Sequence, residues 1–187
     1  MTKQLLKFKI YLIFIFLICP SLSHAQNIKT AYFAGGCFWC MEESFEKVEG
    51  VLEVISGYSG GKTENPTYKE VTYGNTGHFE VIKIKYDAKK INYKKLLDIF
   101  WVNIDPFDAM GQFCDKGYSY KSVAFYSLES EKKLIQKSIK KFEKKFGKKI
   151  VTYVRKFDKF YKAEDYHQNY YKENFINYLT YKNGCRR

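Results

Sequence analysis

Apolar and polar positions along the chain follow two periods. Residues 30–33 are a short aromatic run that meets Gly35-Gly36, which reads as a strand entering a tight turn. From Cys37 the period changes. Phe38, Met41, Phe45 and Val48 fall at i, i+3, i+7 and i+10, the stripe of a helix that begins at the cysteine and ends by Gly50. Residues 51–56 read as a strand, and residues 79–86 alternate as another. Residues 93–102 predict a helix buried through Leu96, Leu97, Phe100 and Trp101, with Asn92 as its cap. Residues 122–127 read as a strand, and 129–146 as a lysine-rich amphipathic helix with Leu134, Ile135, Ile139 and Phe142 inward. A strand over 150–154 follows. Residues 57–77 and 105–120 have no clear period and read as two long loops, a length that in a compact domain usually carries function. The tail from 157 to 187 is aromatic and polar, with a short helix expected around 163–175.

The order is strand, helix, strand, strand, helix, strand, helix, strand. Its natural packing is an α+β two-layer sandwich: a mixed sheet with helices on one face, a ferredoxin-like βαββαβ core with an extra strand and helix and long loops.

The first 25 residues follow a different pattern. They hold no acid and three lysines (Lys3, Lys7, Lys9), then an apolar run from Ile10 to Cys19, broken by Pro20 and followed by Ser23-His24-Ala25. A basic start, a short apolar stretch and a small-residue exit describe a secretory signal cut after Ala25. A spanning helix needs ~20 apolar residues, so an uncleaved anchor is the weaker reading. Residues 26–187 then form a single domain, exported, with the periplasm as its expected compartment.

Lys+Arg is 32 against 20 Asp+Glu; removing the three leader lysines takes the formal charge from +12 to +9. The lysines are scattered among Tyr, Phe, Ile and Asn with no basic stripe bearing stacking aromatics, so nucleic acid is not an expected partner. A GxxxxGK[ST] phosphate loop is absent from the sequence.

Four cysteines remain after the leader: Cys37, Cys40, Cys114 and Cys185. In an oxidising compartment these are disulfides, metal ligands or redox thiols. Cys37 opens a predicted helix, where free N–H groups and the helix dipole favour a thiolate. The flanking glycines are expected to clear space for a substrate at the sulfur. By spacing alone, Cys37-x-x-Cys40 fits a redox pair, half a zinc site or a structural pair. Zinc lacks a second close ligand pair in the sequence. A thioredoxin-like fold lacks its proline loop. A basic binding protein with structural disulfides is the non-enzyme alternative.

The wider set narrows this. Gly-Gly-Cys-Phe-Trp-Cys-Met-Glu (35–42) is followed by Gly-Tyr-Ser-Gly-Gly (57–61), Asn-Pro-Thr-Tyr (65–68), Thr-Gly-His-Phe-Glu (76–80), Tyr-Asp (86–87), Phe-Trp (100–101) and Asp-Pro (105–106). Gln112, Asp115, Gly117, Tyr120 and Ser122 complete it. In this order and spacing the chain resembles the type A peptide methionine sulfoxide reductases, over about residues 30–187. The resemblance implies a monomeric enzyme with no metal or organic cofactor that reduces the S epimer of free and peptide-bound methionine sulfoxide. It makes Cys37 the nucleophile and Glu80 the proton donor, a carboxyl whose burial in an aromatic pocket is expected to raise its pKa. Tyr68 and Tyr120 are implied to hold the sulfoxide oxygen, Phe38 and Trp39 to form the methyl pocket, Asp115 to orient the polar network, and His78 to support it. A sulfenic acid on Cys37 is then resolved by Cys40, Cys185 or Cys114, in that order of expectation. The resulting disulfide is reduced by thioredoxin or a thioredoxin-like exported dithiol. Three positions depart from the family pattern: Cys40 where glycine is more frequent, Cys114 where asparagine is common, and Ile104 where a histidine is usual.

Overall fold

A computed structural model describes residues 27–185. The expected signal segment, 1–25, lies outside the described residues. The chain runs β1 (Ile28–Ala34), α1 (Phe38–Glu46), β2 (Val51–Ser59), α2 (Tyr68–Tyr73), β3 (Phe79–Asp87), α3 (Tyr93–Val102), β4 (Gly111–Gln112), β5 (Asp115–Lys116), β6 (Val123–Tyr126), α4 (Glu129–Phe146), β7 (Tyr153–Lys156), β8 (Phe160–Lys162), α5 (Tyr170–Glu173) and α6 (Phe175–Gly184).

Six strands form one mixed sheet in the order β7-β6-β1-β3-β2-β8. Its four middle strands have the ferredoxin-like arrangement: β1 pairs antiparallel with β3 and β6, and β2 pairs antiparallel with β3. α4 then carries the chain to β7, which pairs parallel with β6, and β8 closes the other side against β2. Side chains alternate across the sheet. Phe33, Ile82, Ile84 and Tyr86 face α1, α3 and α4, where Phe38, Met41, Phe45, Leu96, Leu97, Phe100 and Ile135 fill one core. Phe33 stacks on Phe100 at 4.8 Å between ring centroids. On the opposite face, with Phe79, Val81, Val123 and Phe125, pack Tyr32, Phe157 and Phe160; Tyr32 stacks on Phe157 at 3.7 Å and Tyr118 on Phe79 at 4.7 Å.

α3 and α4 span the ranges their periodicity predicts, and the Asn92 side chain caps α3 by accepting from the Lys95 N–H at 2.9 Å. Three regions differ from expectation. The first supposed loop is shorter, because β2 continues through Gly57-Tyr58-Ser59, held between β3 and β8. Here pairing on both sides overrides poor strand propensity, and Gly57 suits the spot because a Cβ would lie 2.3 Å from the Tyr161 carbonyl oxygen. α2 also lies in that stretch, started by a capping box between Thr67 and Glu70. β7 begins three residues later than its apolar run suggests. The tail is not one short helix. β8 comes first, Asn169 takes a left-handed backbone (φ 54), and the helix proper is α6, ten residues ending at Gly184.

Candidate active site

The nucleophile candidate sits where the β1–α1 turn delivers it. Gly36 has φ 76, which favours glycine, and a Cβ on Gly35 would stand 2.5 Å from Met41 Sδ and 2.9 Å from Ile104. These glycines make the turn and its packing. Ile104, at the position where the family pattern has a histidine, fills core space against that turn.

Cys37 is the N-cap of α1, so its sulfur lies at the positive end of the helix, where a thiolate is stabilised. The next N–H, of Phe38, donates to Glu80 Oε2 at 3.0 Å. Glu80 comes from β3, opposite Tyr58 in β2, and its side chain is buried on the helical side of the sheet. Carboxyl and thiol are thus joined through one peptide group.

Around them closes a pocket of about 90 Å³, lined by Cys37, Phe38, Trp39, Tyr68, Glu80, Asp115, Tyr120 and Tyr181. Seven of these eight residues are ones the sequence singled out. They arrive from α1, the start of α2, β3, β5 and the turn after β5. Burial, then the charge of Glu80, pushes the Tyr68 and Tyr120 phenols above their usual range, so both remain O–H donors at neutral pH. Phe38 and Trp39 supply an apolar wall. His78 stands elsewhere. Its Nδ1 accepts from the Gly61 N–H at 3.1 Å, its Nε2 pairs with the Thr63 carbonyl at 2.8 Å, and its ring meets Tyr161 edge-on. It braces the 61–63 loop rather than facing the pocket.

Three further residues shape the site and were not singled out in the sequence. His167 is buried behind Trp39, whose indole N–H donates to His167 Nδ1 at 3.2 Å. Burial lowers the His167 pKa to about 4, so the ring is neutral and able to accept that bond. Glu164 accepts from the Tyr58 hydroxyl and the Tyr68 N–H, both at 2.8 Å, which fixes the start of α2. Tyr181, from α6, donates to Asp115. A helix drawn at 175–184 would have revealed Tyr181, since Tyr178, Tyr181 and Cys185 then share one face.

Cys114 and Cys185 form a disulfide, with Cα atoms 5.1 Å apart. Cys37 and Cys40 are thiols, 5% and 2% exposed, Cys40 lying beside Tyr178 of α6. Cys114, by contrast, is exposed. The four cysteines are therefore an inner thiol pair and an outer disulfide.

Residues 29–187 match the family described as peptide methionine sulfoxide reductase. Over 159 residues the chain is 46% identical to peptide methionine sulfoxide reductase MsrA of Listeria monocytogenes, covering 84% of this chain and 90% of the relative. It is 44% identical over 178 residues to MsrA 2 of Rhizobium meliloti, covering 95% and 87%. The reduced form of Mxr1 from Saccharomyces cerevisiae has a similar structure, with a TM-score of 0.74 at 32% identity, covering 79% of this chain and 86% of that one. With the family matched over nearly all the described residues and the pocket assembled around Cys37, the chain belongs to the type A peptide methionine sulfoxide reductases.

Proposed function

We propose a cycle for this enzyme that begins at Cys37 and ends at the outer disulfide. The overall reaction is thiol-dependent reduction of the S epimer of methionine sulfoxide, free or in proteins, to methionine, an oxidoreductase activity that repairs oxidised protein. The Cys37 thiolate attacks the sulfoxide sulfur. Glu80 delivers a proton to the oxygen, which Tyr68 and Tyr120 hold by hydrogen bonds. The S-methyl group lies against Phe38 and Trp39. Methionine leaves, and Cys37 becomes a sulfenic acid. Cys40, one helical turn on, condenses with it; a disulfide forms and water is released. Exchange with a Cys114/Cys185 dithiol then returns Cys37 and Cys40 to thiols and leaves the outer pair oxidised. The observation that supports this division is burial: the inner cysteines are closed off, whereas Cys114 is open to a protein reductant. Yeast Mxr1 is known in complex with Trx2. For this chain the reading is a thioredoxin-like dithiol acting on Cys114–Cys185.

The basic, apolar and small-residue pattern of residues 1–25 supports export and a mature enzyme beginning at Gln26. N-terminal sequencing of the protein recovered from cells tests the cut; Met1 or Thr2 as first residue overturns it. For the activity, loss of S- and R-methionine sulfoxide is followed separately with dithiothreitol, beside Cys37→Ser. Consumption of the S epimer alone, abolished by Cys37→Ser, is the expected result. Turnover that survives Cys37→Ser would discard Cys37 as nucleophile. Disulfide reduction with no turnover of either epimer would return the chain to the general thiol–disulfide oxidoreductases. For the relay, Cys114→Ser is expected to keep a single turnover of sulfoxide but to lose cycling with a thioredoxin-like protein. Unchanged cycling would remove the outer pair from the route.

A further inference from the structure

The C-terminal helix is laid on the site in an unusual way. Phe175 and Ile176 of α6 point to solvent, while Tyr178 is buried and Tyr181 largely so. A helix that turns its phenols inward must give each buried hydroxyl a partner. Tyr178 donates to Glu43 at 2.6 Å. Tyr181 has two possible acceptors: it donates to Asp115, and its hydroxyl also meets the Cys37 sulfur. Its ring stands edge-on to Trp39 at 6.0 Å. The hydroxyl is held from both sides. Cys185 closes the next helical turn on the Tyr181 carbonyl at 2.9 Å, and its disulfide partner Cys114 adjoins Asp115 in the chain. The outer disulfide therefore clasps together the two segments that carry Tyr181 and Asp115 into the pocket.

Taking Cys37 as the nucleophile, we propose that Tyr181 is a further catalytic residue, the hydrogen-bond donor that stabilises the Cys37 thiolate and is shared with Asp115. A phenol has one proton to give. While the sulfur is anionic, the bond to sulfur is favoured, because a charged acceptor makes the stronger hydrogen bond. When the sulfur loses its charge by attacking the sulfoxide, the proton turns wholly to Asp115. No proton leaves the phenol at either stage. Burial, then the charge of Cys37, keeps the Tyr181 phenol protonated throughout.

The test reads the sulfur directly. The unreduced full-length protein, with Cys114–Cys185 intact, is treated with iodoacetamide from pH 5 to pH 9. Modification of Cys37 is timed by fragment mass spectrometry, which separates it from Cys40. The other titratable groups lining the site are Glu80, Asp115, Tyr68 and Tyr120, with Cys40 beside them on α1; all are common to wild type and Tyr181→Phe. Tyr181→Phe is expected to move the midpoint of the alkylation profile up by about one pH unit, with a roughly tenfold slower reaction on the acid side. A merely structural ring predicts no such movement. Asp115→Asn, which leaves the hydroxyl in place and removes its competing carboxylate, is expected to move the midpoint down. In the double variant the two shifts should not add. An unchanged or lower midpoint in a folded Tyr181→Phe overturns the proposal. If Tyr181→Phe does not fold, a midpoint that stays or rises in Asp115→Asn does so. Sulfoxide turnover is measured in parallel, so a wild type that shows the alkylation behaviour but turns over neither epimer would refute the functional reading and leave the role of Tyr181 standing.

Discussion

Raising the pH ionises a carboxyl that the fold keeps out of water. Glu42, on α1, is fully buried; its oxygens accept from the Asn169 N–H at 2.9 Å and the Ser56 hydroxyl at 3.2 Å. Burial raises its pKa from 4.5 to about 7, against the pull of those two bonds. Between these values the native state holds a proton that the unfolded chain has released, so stability falls as pH rises. The contribution is complete below pH 4.5 and is lost once the pH has passed through about 7. At 1.36 kcal/mol per pH unit the interval amounts to about 3 kcal/mol. Glu42→Gln keeps the shape and can serve both neighbours without ionising. Urea unfolding of the two chains, from pH 4.5 to 8, gives their stability difference at each pH. The variant should match wild type at the acid end and exceed it by about 3 kcal/mol at pH 8. His167, whose pKa is lowered to about 4, has the opposite dependence, with stability rising through the acid range, and cancels in the difference. Two parallel curves would show that Glu42 is already ionised in the native state, and the reasoning from its burial would fail.

Four other outcomes follow from the same geometry. Phe33→Ala empties the centre of the larger core, between Phe45 and Phe100, and should cost about 3–5 kcal/mol in urea unfolding; a loss below about 1 kcal/mol would mean the core collapses onto the gap. Asn92→Ala removes the side-chain cap of α3 and should cost about 1 kcal/mol, with no change in sulfoxide turnover. Breaking Cys114–Cys185 by Cys185→Ser frees a link across 71 positions and should lower stability by about 2–4 kcal/mol, read in the absence of reductant; an unchanged thermal midpoint would contradict the clasp. Glu80→Gln keeps an acceptor for the Phe38 N–H but has no acidic proton. It should lower kcat/KM by about 10²-fold or more while Cys37 still alkylates, and near-normal turnover would assign the proton to another group.

Much of this architecture was legible before any coordinates, and the parts that were not share a cause. α3 and α4 present an apolar stripe to one sheet face, so periodicity alone gives their extent. β1 and β3 alternate because the two sheet faces bury different sets of side chains. The end of β2 carries Ser-Gly-Tyr-Ser, a run with no hydrophobic signal, and is strand only because β3 and β8 pair with it. The tail misleads for the opposite reason. In α6 Phe175, Ile176 and Leu179 are exposed while Tyr178 is buried and Tyr181 half-buried, which inverts the usual pattern. The pocket shows the same split. The residues near Cys37, Tyr68, Glu80 and Tyr120 were picked out by their motif spacing and resemblance, not by composition. Tyr181, Glu164 and His167 lie in the tail, where no local period marks them.

That tail explains why α1 is so acidic on one side. Three glutamates of a single helix bind it in succession. Glu42 takes the Asn169 N–H, Glu43 takes the Tyr178 hydroxyl and the Lys182 ammonium, and Glu46 takes the Tyr171 hydroxyl and the Lys172 ammonium. Burial opposes the charge on Glu43, but Lys182, Lys47 and Tyr178 outweigh it and hold its pKa at about 2. The row begins five residues after the nucleophile, so the helix that presents Cys37 at its N-terminus is also the one that secures the residues closing over it. Each tie is short-range and polar, and the outer disulfide adds one covalent link at the far end. The ties act in series: with the disulfide cut, Glu43 still holds Tyr178 and Lys182 and Glu42 still anchors Asn169, so the segment stays docked on α1 while Cys185 loses its covalent hold. In the proposed relay, reduction of Cys114–Cys185 releases Cys185 from Cys114 first, and the dithiol so formed is what exchanges with the inner pair while α1 keeps the segment in place.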